Sequence, residues 1–257
     1  MKVRAVLFDI YGTLFRVGLP PADADAQWQR LFEETLGTPP PLNRLHFAAA
    51  CSRVVARRHE TARARGIPYP EILWPAVVLE VVPQLRRLPA AGFRRFIYQQ
   101  MQIGRHIELH PGVAPVLRML RVRNCLLGLV SNAQAYTWEE LQIHLGRVGL
   151  APDCFRTDLC FFSFEHGFAK PDPHVFQWAT IRLESLGIGP AETLMVGDRL
   201  DNDIEPARAF GWQTWHLHSQ AGDGRTGGSW EQLRAWLDQH AAGVTAATAD
   251  TSPTQPC

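Results

Sequence analysis

Five side chains of this 257-residue chain have the types and positions for chemistry on an anion: Asp9, Ser131, Lys170, Asp198 and Asp203. Asp9 follows the apolar run 3–8, Ser131 follows 125–130, and Asp198 follows 193–197. Lys170 stands on the loop after 159–164. A carboxylate with a cation beside it stays ionised and can attack an electrophile, and the same cation attracts an anionic substrate. Ser131 and nearby backbone N–H groups suit the oxygens of such a substrate. Asn132 suits either substrate orientation or a plain turn. Asp198 and Asp203, in Gly-Asp-x-x-x-x-Asp, bring two hard oxygen donors to a strand-to-helix turn, which suits Mg²⁺; Asp201 is a neighbouring alternative to Asp203. Three acids around one site repel each other unless a cation sits among them. Gly12 lets the backbone turn close to a bound anion.

The elements that must hold these residues are legible as patterns. The apolar runs read as buried strands of a parallel sheet, and in open α/β sheets ligands bind outside the carboxyl ends of the strands. A further strand is expected at 213–217. Helical patterns cover 111–121, 137–148, 175–186, 204–210 and 230–240. Between the first two strands lie four more, at 24–36, 43–65, 71–87 and 91–103. Gly37 and Gly66 act as stops, Asn43 as a cap, and Pro83 ends or kinks the third. Four helices exceed what a simple crossover needs. The expectation is therefore a doubly wound, Rossmann-like parallel α/β core of residues 1–16 and 109–240, with an inserted four-helix cap of residues 17–108. Residues 222–228 read as a flexible loop and 241–257, rich in Ala, Thr and Pro, as a disordered tail. The cap aromatics Trp28, Phe32, Phe47, Trp74, Phe93, Phe96 and Tyr98 read mostly as core, with one or two lining a pocket. His110, His166 and His174 read as turn or surface residues.

Composition narrows the partners. A formal net charge of +1 gives no electrostatic case for nucleic acid or an anionic membrane. No apolar run approaches the ~18 residues of a membrane span. The chain enters its first strand at once, leaving no room for a signal peptide, and its five cysteines show no CxxC spacing. Reduced thiols and a cytoplasmic location are expected, in a monomer or homodimer. Of 26 basic residues only Lys2 and Lys170 are lysine, so a lysine between Ala169 and Pro171 stands out.

Four stretches together resemble the haloacid dehalogenase superfamily: Asp9-Ile10-Tyr11-Gly12-Thr13, Leu129-Val130-Ser131-Asn132, Lys170-Pro171-Asp172-Pro173 and Gly197-Asp198-Arg199-Leu200-Asp201-Asn202-Asp203. The inserted helices are similar to the caps of members whose cap follows the first motif. The resemblance implies that Asp9 is the nucleophile and forms a covalent aspartyl intermediate that water then hydrolyses. It implies a catalytic set of Asp9, Tyr11, Thr13, Ser131 and Lys170, and substrate contacts from Ser131, Asn132 and Lys170. Mg²⁺ would be held by Asp9, the Tyr11 backbone carbonyl, Asp198 and Asp203. Most members are Mg²⁺-dependent phosphatases, and they usually carry a second Asp where this chain has Tyr11. Tyr at that place is similar to the metal-independent 2-haloacid dehalogenases, which need no acid because a halide leaves without a proton. Asp198 points back to the phosphatases. The expected function is therefore a Mg²⁺-dependent phosphatase of a small phosphorylated compound. A haloacid dehalogenase-like enzyme and a catalytically weak phosphate-binding module are the alternatives.

Overall fold

The computed structural model describes residues 2–218 and 226–242. The chain begins with β1 (Ala5–Phe8) and β2 (Phe15–Gly18), passes through α1 (Ala24–Leu36), α2 (Arg44–Ala64), α3 (Trp74–Val81) and α4 (Ala90–Gly104), and returns on β3 (His106–Leu109). It continues through α5 (Val113–Val122), β4 (Leu126–Ser131), α6 (Thr137–Gly146), β5 (Cys160–Phe162), α7 (Ser163–His166) and α8 (Pro173–Ser185). The last elements are β6 (Thr193–Gly197), α9 (Glu205–Ala209), β7 (Gln213–Leu217), β8 (Gly227–Gly228) and α10 (Trp230–His240).

Six strands form one parallel sheet in the order β5-β4-β1-β6-β7-β8, with β1 held between β4 and β6. Strand side chains alternate between faces, and the apolar clusters follow that alternation. Val6 and Phe8 of β1 pack with α5, α6 and α10, whereas Ala5 and Leu7 pack with α8 and α9 on the other side. Both faces are covered, which is why these strands read as unbroken apolar runs. The helices α1 to α4 enclose a cluster of their own around Trp28, Phe32, Phe47 and Phe96. The doubly wound α/β core with a helical insert is the architecture expected.

Local differences have physical causes. β2 and β3 were not anticipated: they pair antiparallel, Phe15 opposite Leu109 and Gly18 opposite His106, and form the ribbon between core and cap. Each is four residues long and largely exposed, too short and too wet for an alternation to show. The third cap helix is shorter than expected. Pro75 sits in its first turn, and the chain breaks at Pro83 into a 3₁₀ turn, because Pro lacks the N–H and clashes with the preceding turn. Residues 163–164, expected in a strand, begin α7, which Gly167 ends with a left-handed backbone. The helix expected from 204 is preceded by a π-helical turn at Leu200–Ile204. Residues 222–225 of the expected flexible loop lie outside the described residues, as do 219–221 before it, and Gly227–Gly228 extend the sheet instead. Ala241, expected in the tail, pairs with Val3, and residues 243–257 lie outside the described residues. No helix among the described residues is long and apolar enough to cross a membrane.

The cap meets the core at a second place. Between α2 and α3 the segment 69–71 runs beside 167–169: Glu71 N donates to Gly167 O (3.0 Å) and Ala169 N to Tyr69 O (2.9 Å). Gln134 of the core donates to Ile72 O (2.8 Å) and accepts from Trp74 N (2.9 Å). Trp74 opens α3, so a core side chain satisfies one of the orphan N–H groups of a cap helix. Ser163 Oγ donates to Glu71 Oε2 at 2.5 Å.

Candidate active site

Asp9 leaves the end of β1 and still donates its N–H to Val196 O (2.9 Å), so the ladder to β6 fixes its backbone. Its carboxylate faces Lys170, whose Nζ lies 2.7 Å from Asp9 Oδ1 and 2.5 Å from Asp203 Oδ1. All three side chains are nearly dry, at 7% exposure for Asp9, 4% for Lys170 and 1% for Asp203. Asn132 holds Lys170 by its backbone: Nδ2 donates to Lys170 O (3.0 Å), and Oδ1 accepts from Lys170 N (2.7 Å). Asn132 thus positions Lys170, a role its place after Ser131 does not reveal.

The π-helical turn brings Asp203 back under Gly197. There its Oδ2 accepts from Arg199 N (3.0 Å), and a Cβ on Gly197 would lie 2.4 Å from that oxygen. Such wide turns recur at functional sites. Asp201, the neighbouring alternative, points outward and pairs with Arg199. Asp198 accepts from Thr13 Oγ1 (3.2 Å), and its backbone carbonyl meets His216 Nε2 (2.9 Å). One oxygen each from Asp9, Asp198 and Asp203 lies within 4.8 Å of the others.

Charge decides what this arrangement lacks. Three carboxylates face a single ammonium, an excess of two negative charges in a largely dry pocket. Burial, with the Asp203 charge adding to it, pushes Asp9 up to about 6 despite the opposing pull of Lys170. Burial and Asp203 also raise Asp198. Burial alone would pull Lys170 down, but Asp203 and Asp9 together outweigh it and hold it above the ordinary lysine value. A divalent cation among the three acids would balance the excess, and hard oxygen donors suit Mg²⁺. The missing side chain of Gly12 makes room for the Asp198 carboxylate: a Cβ there, where φ is +89°, would lie 2.3 Å from Asp198 Oδ2. Ser131 Oγ is buried without a hydrogen-bond partner, beside Asp9, Tyr11, Asn132, Lys170 and Asp203 around a cavity of about 190 Å³. Buried hydroxyls are rarely left unpaired, so this one awaits a ligand oxygen.

Gly12→Ala is accordingly expected to fail twice. The left-handed backbone costs an L-residue about 1–2 kcal/mol, and the methyl displaces the Asp198 carboxylate. Thermal unfolding should show a lowered midpoint, and Mg²⁺ titration a weakened affinity.

Tyr11 lines the same cavity, but its hydroxyl is engaged elsewhere. It donates to Glu140 Oε2 in a short contact and lies 2.7 Å from Thr137 Oγ1. Burial, against the pull of Arg105, holds its proton well beyond the ordinary phenol range. Glu140 is fully buried on α6, where it also accepts from Gln102 Nε2 (2.7 Å) and Arg105 (3.1 and 3.2 Å). The Arg105 guanidinium stacks 4.1 Å from the centre of the Tyr11 ring. Sequence reasoning missed Glu140, Thr137 and Arg105. A Glu in the first turn of a helix reads as a surface acid favoured by the helix dipole, and nothing in its spacing announces a buried partner ninety or more residues away. Arg199 and Asn202, also on the cavity wall, were passed over within their motif. The expected pocket-lining cap aromatics are not among the described residues around this cavity. His110 pairs with Arg16, His166 stacks on Phe161 and His174 meets Asp172, all apart from the acid cluster.

A glyceraldehyde 3-phosphate phosphatase of Methanopyrus kandleri is 36% identical over 110 residues, 42% of this chain and 43% of the relative. The chain thus spans about two-fifths of the length of that curated relative. Among solved structures, a phosphatase of the superfamily from Thermococcus onnurineus superposes with a TM-score of 0.55 at 21% identity, covering 93% of this chain and all of the other. A 2-haloacid dehalogenase from Pseudomonas syringae superposes at 0.58 with 20% identity, over 93% and 100%. Both show the fold. A family model of haloacid dehalogenase-like hydrolases matches residues 3–211, and with that span, the fold and the four motif loops gathered at one sheet edge, the chain belongs to the haloacid dehalogenase-like hydrolases.

Proposed function

We propose that this protein is a Mg²⁺-dependent phosphatase of a small phosphorylated compound, with Asp9 as nucleophile. The observation that carries the proposal is the charge excess: Asp9, Asp198 and Asp203 converge on one point, and among the described residues Lys170 is the cation paired with them, Arg199 being paired with Asp201. In this reading Asp9, Asp198, Asp203 and the Tyr11 backbone carbonyl hold the metal. Bound there, Mg²⁺ would neutralise the phosphoryl oxygens and the carboxylates together. Lys170 keeps Asp9 ionised and binds a phosphoryl oxygen, Ser131 donates to another, and Thr13 orients Asp198. Asp9 attacks phosphorus to form an aspartyl phosphate, and water then releases phosphate and restores the carboxylate.

Tyr11 favours a second reading, metal-independent displacement of halide from a 2-haloacid. Asp198 weighs against it, since a third buried acid would repel an anionic substrate if no metal balanced it. Phosphate and chloride release, each assayed in Mg²⁺ and in EDTA, separate the two. Asp198→Asn is expected to weaken Mg²⁺ binding in calorimetry and lower turnover by about 10²-fold, of the order of other lost electrostatic contacts, while circular dichroism stays unchanged. Full phosphatase activity in excess EDTA would end the metal proposal, and chloride release there with no phosphate release would put the second reading in its place.

A further inference from the structure

We infer that the described residues of this cavity offer no proton to a departing oxygen, and that its substrates are therefore phosphoryl compounds whose leaving group is stable as an anion: acyl phosphates, and phosphates of acidic phenols, rather than alkyl phosphate esters. The inference rests on the phosphatase reading above and adds the substrate class.

It follows from taking the donors of the cavity wall in turn. The Tyr11 hydroxyl has one proton, and Glu140 receives it; Glu140 is itself locked by Gln102 and Arg105, and the guanidinium lies on the Tyr11 ring. Nothing in that stack turns toward the cavity without breaking a buried charge-assisted bond. Lys170 gives two of its three N–H groups to Asp9 and Asp203, and in the reading above the third holds a phosphoryl oxygen rather than the leaving oxygen. Asp203 accepts from Lys170 and from Arg199 N, so it presents oxygen and no hydrogen. Arg199 pairs with Asp201, and a guanidinium does not give up a proton in a protein. Ser131, Asn132 and Asn202 can donate hydrogen bonds but not acidic protons.

The bonds then balance as follows. An Asp9 oxygen forms a bond to phosphorus while the bond from phosphorus to the leaving oxygen breaks, and its electron pair goes with that oxygen. From an acyl phosphate the product is a carboxylate, which needs no proton. From a phenyl phosphate it is a phenolate, and from an alkyl ester it is an alkoxide, far too basic to leave unaided. In the second half, water adds to phosphorus and the bond to Asp9 breaks. The leaving group is now the Asp9 carboxylate, again requiring no acid, and the protons of the water pass to phosphate and solvent. The loose transition state of phosphoryl transfer asks little of a base at that step. The intermediate is itself an acyl phosphate. A site that turns over its own aspartyl phosphate without a proton donor already has what an acyl phosphate substrate requires.

The test is kcat/KM of the full-length, Mg²⁺-loaded enzyme on acetyl phosphate, on phenyl phosphates graded from 2,4-dinitrophenyl to unsubstituted phenyl, and on glycerol 3-phosphate. This parameter reports the steps up to departure of the leaving group, whatever limits kcat. Activity is expected to fall steadily as the leaving group becomes more basic, with acetyl phosphate among the best and the alkyl ester at least ~10²-fold below it, the lower range of general acid catalysis. Tyr11→Phe should leave the steepness of that dependence unchanged, whatever it does to absolute rates. A flat dependence with alkyl esters hydrolysed as well as aryl ones overturns the inference and leaves the phosphatase reading standing. So does a Tyr11→Phe variant that loses only the basic leaving groups, since Tyr11 would then be the donor. Release of phosphate from none of these compounds overturns both.

Discussion

Asp9→Asn is expected to abolish phosphate release, a loss of at least about 10⁴-fold or about 5.4 kcal/mol in transition-state stabilisation. An amide oxygen at the end of β1 occupies the same place but is no nucleophile, and no other carboxylate can take over. Asp203 is tied to Lys170 and to Arg199 N, and Asp198 sits against Thr13 and Gly12. The apo fold should not weaken, because the variant removes one of three like charges that a single ammonium offsets. Quenching the wild type during turnover should leave a phosphoryl adduct, visible in the intact-protein mass and assigned to Asp9 by peptide mapping. The variant should show none. Turnover by Asp9→Asn at a tenth of the wild-type rate would mean that the nucleophile lies elsewhere.

Lys170→Arg should cost at least ~10²-fold in kcat/KM, or about 2.7 kcal/mol, although formal charge is conserved. The Lys170 ammonium fits between two carboxylate oxygens as a compact point charge. A guanidinium is planar, forked and larger, so the exchange is not conservative at a tight site. The backbone cannot retreat to make room, because Asn132 grips both the N–H and the carbonyl of residue 170. In a chain where nearly every other cation is arginine, wild-type kinetics for this variant would reduce Lys170 to an ordinary buried ion pair.

The strands and their tips were legible because both faces of the sheet are covered, so the runs ending at Phe8, Val130 and Gly197 are apolar but for Arg4 and Thr193. An acid directly after such a run has few places to be except the sheet edge. Lys170 was legible for a different reason, its place in Lys170-Pro171-Asp172-Pro173, with its being a lysine in an arginine-rich chain as support. What stayed hidden depends on contacts distant in sequence. The β2–β3 ribbon pairs residues about ninety apart, each strand too short to carry a pattern. The Tyr11–Glu140–Arg105 stack joins three segments whose residues look like an exposed helix acid and an exposed helix-end base. The choice of Asp203 over Asp201 follows from a π-helical turn, and one extra residue in a turn leaves no signature in residue type.

The pairing of 69–71 with 167–169 ties the cap to the stretch of core that leads into Lys170. The ribbon of β2 and β3 is a natural axle for the cap, but a cap turning on it must peel Tyr69 and Glu71 away from the stretch that ends at Lys170, and strip Gln134 from the start of α3. The cap is thus fastened to the core at two places, and any route to Asp9 that needs the cap to turn would first have to break the contacts of Tyr69, Glu71 and Gln134.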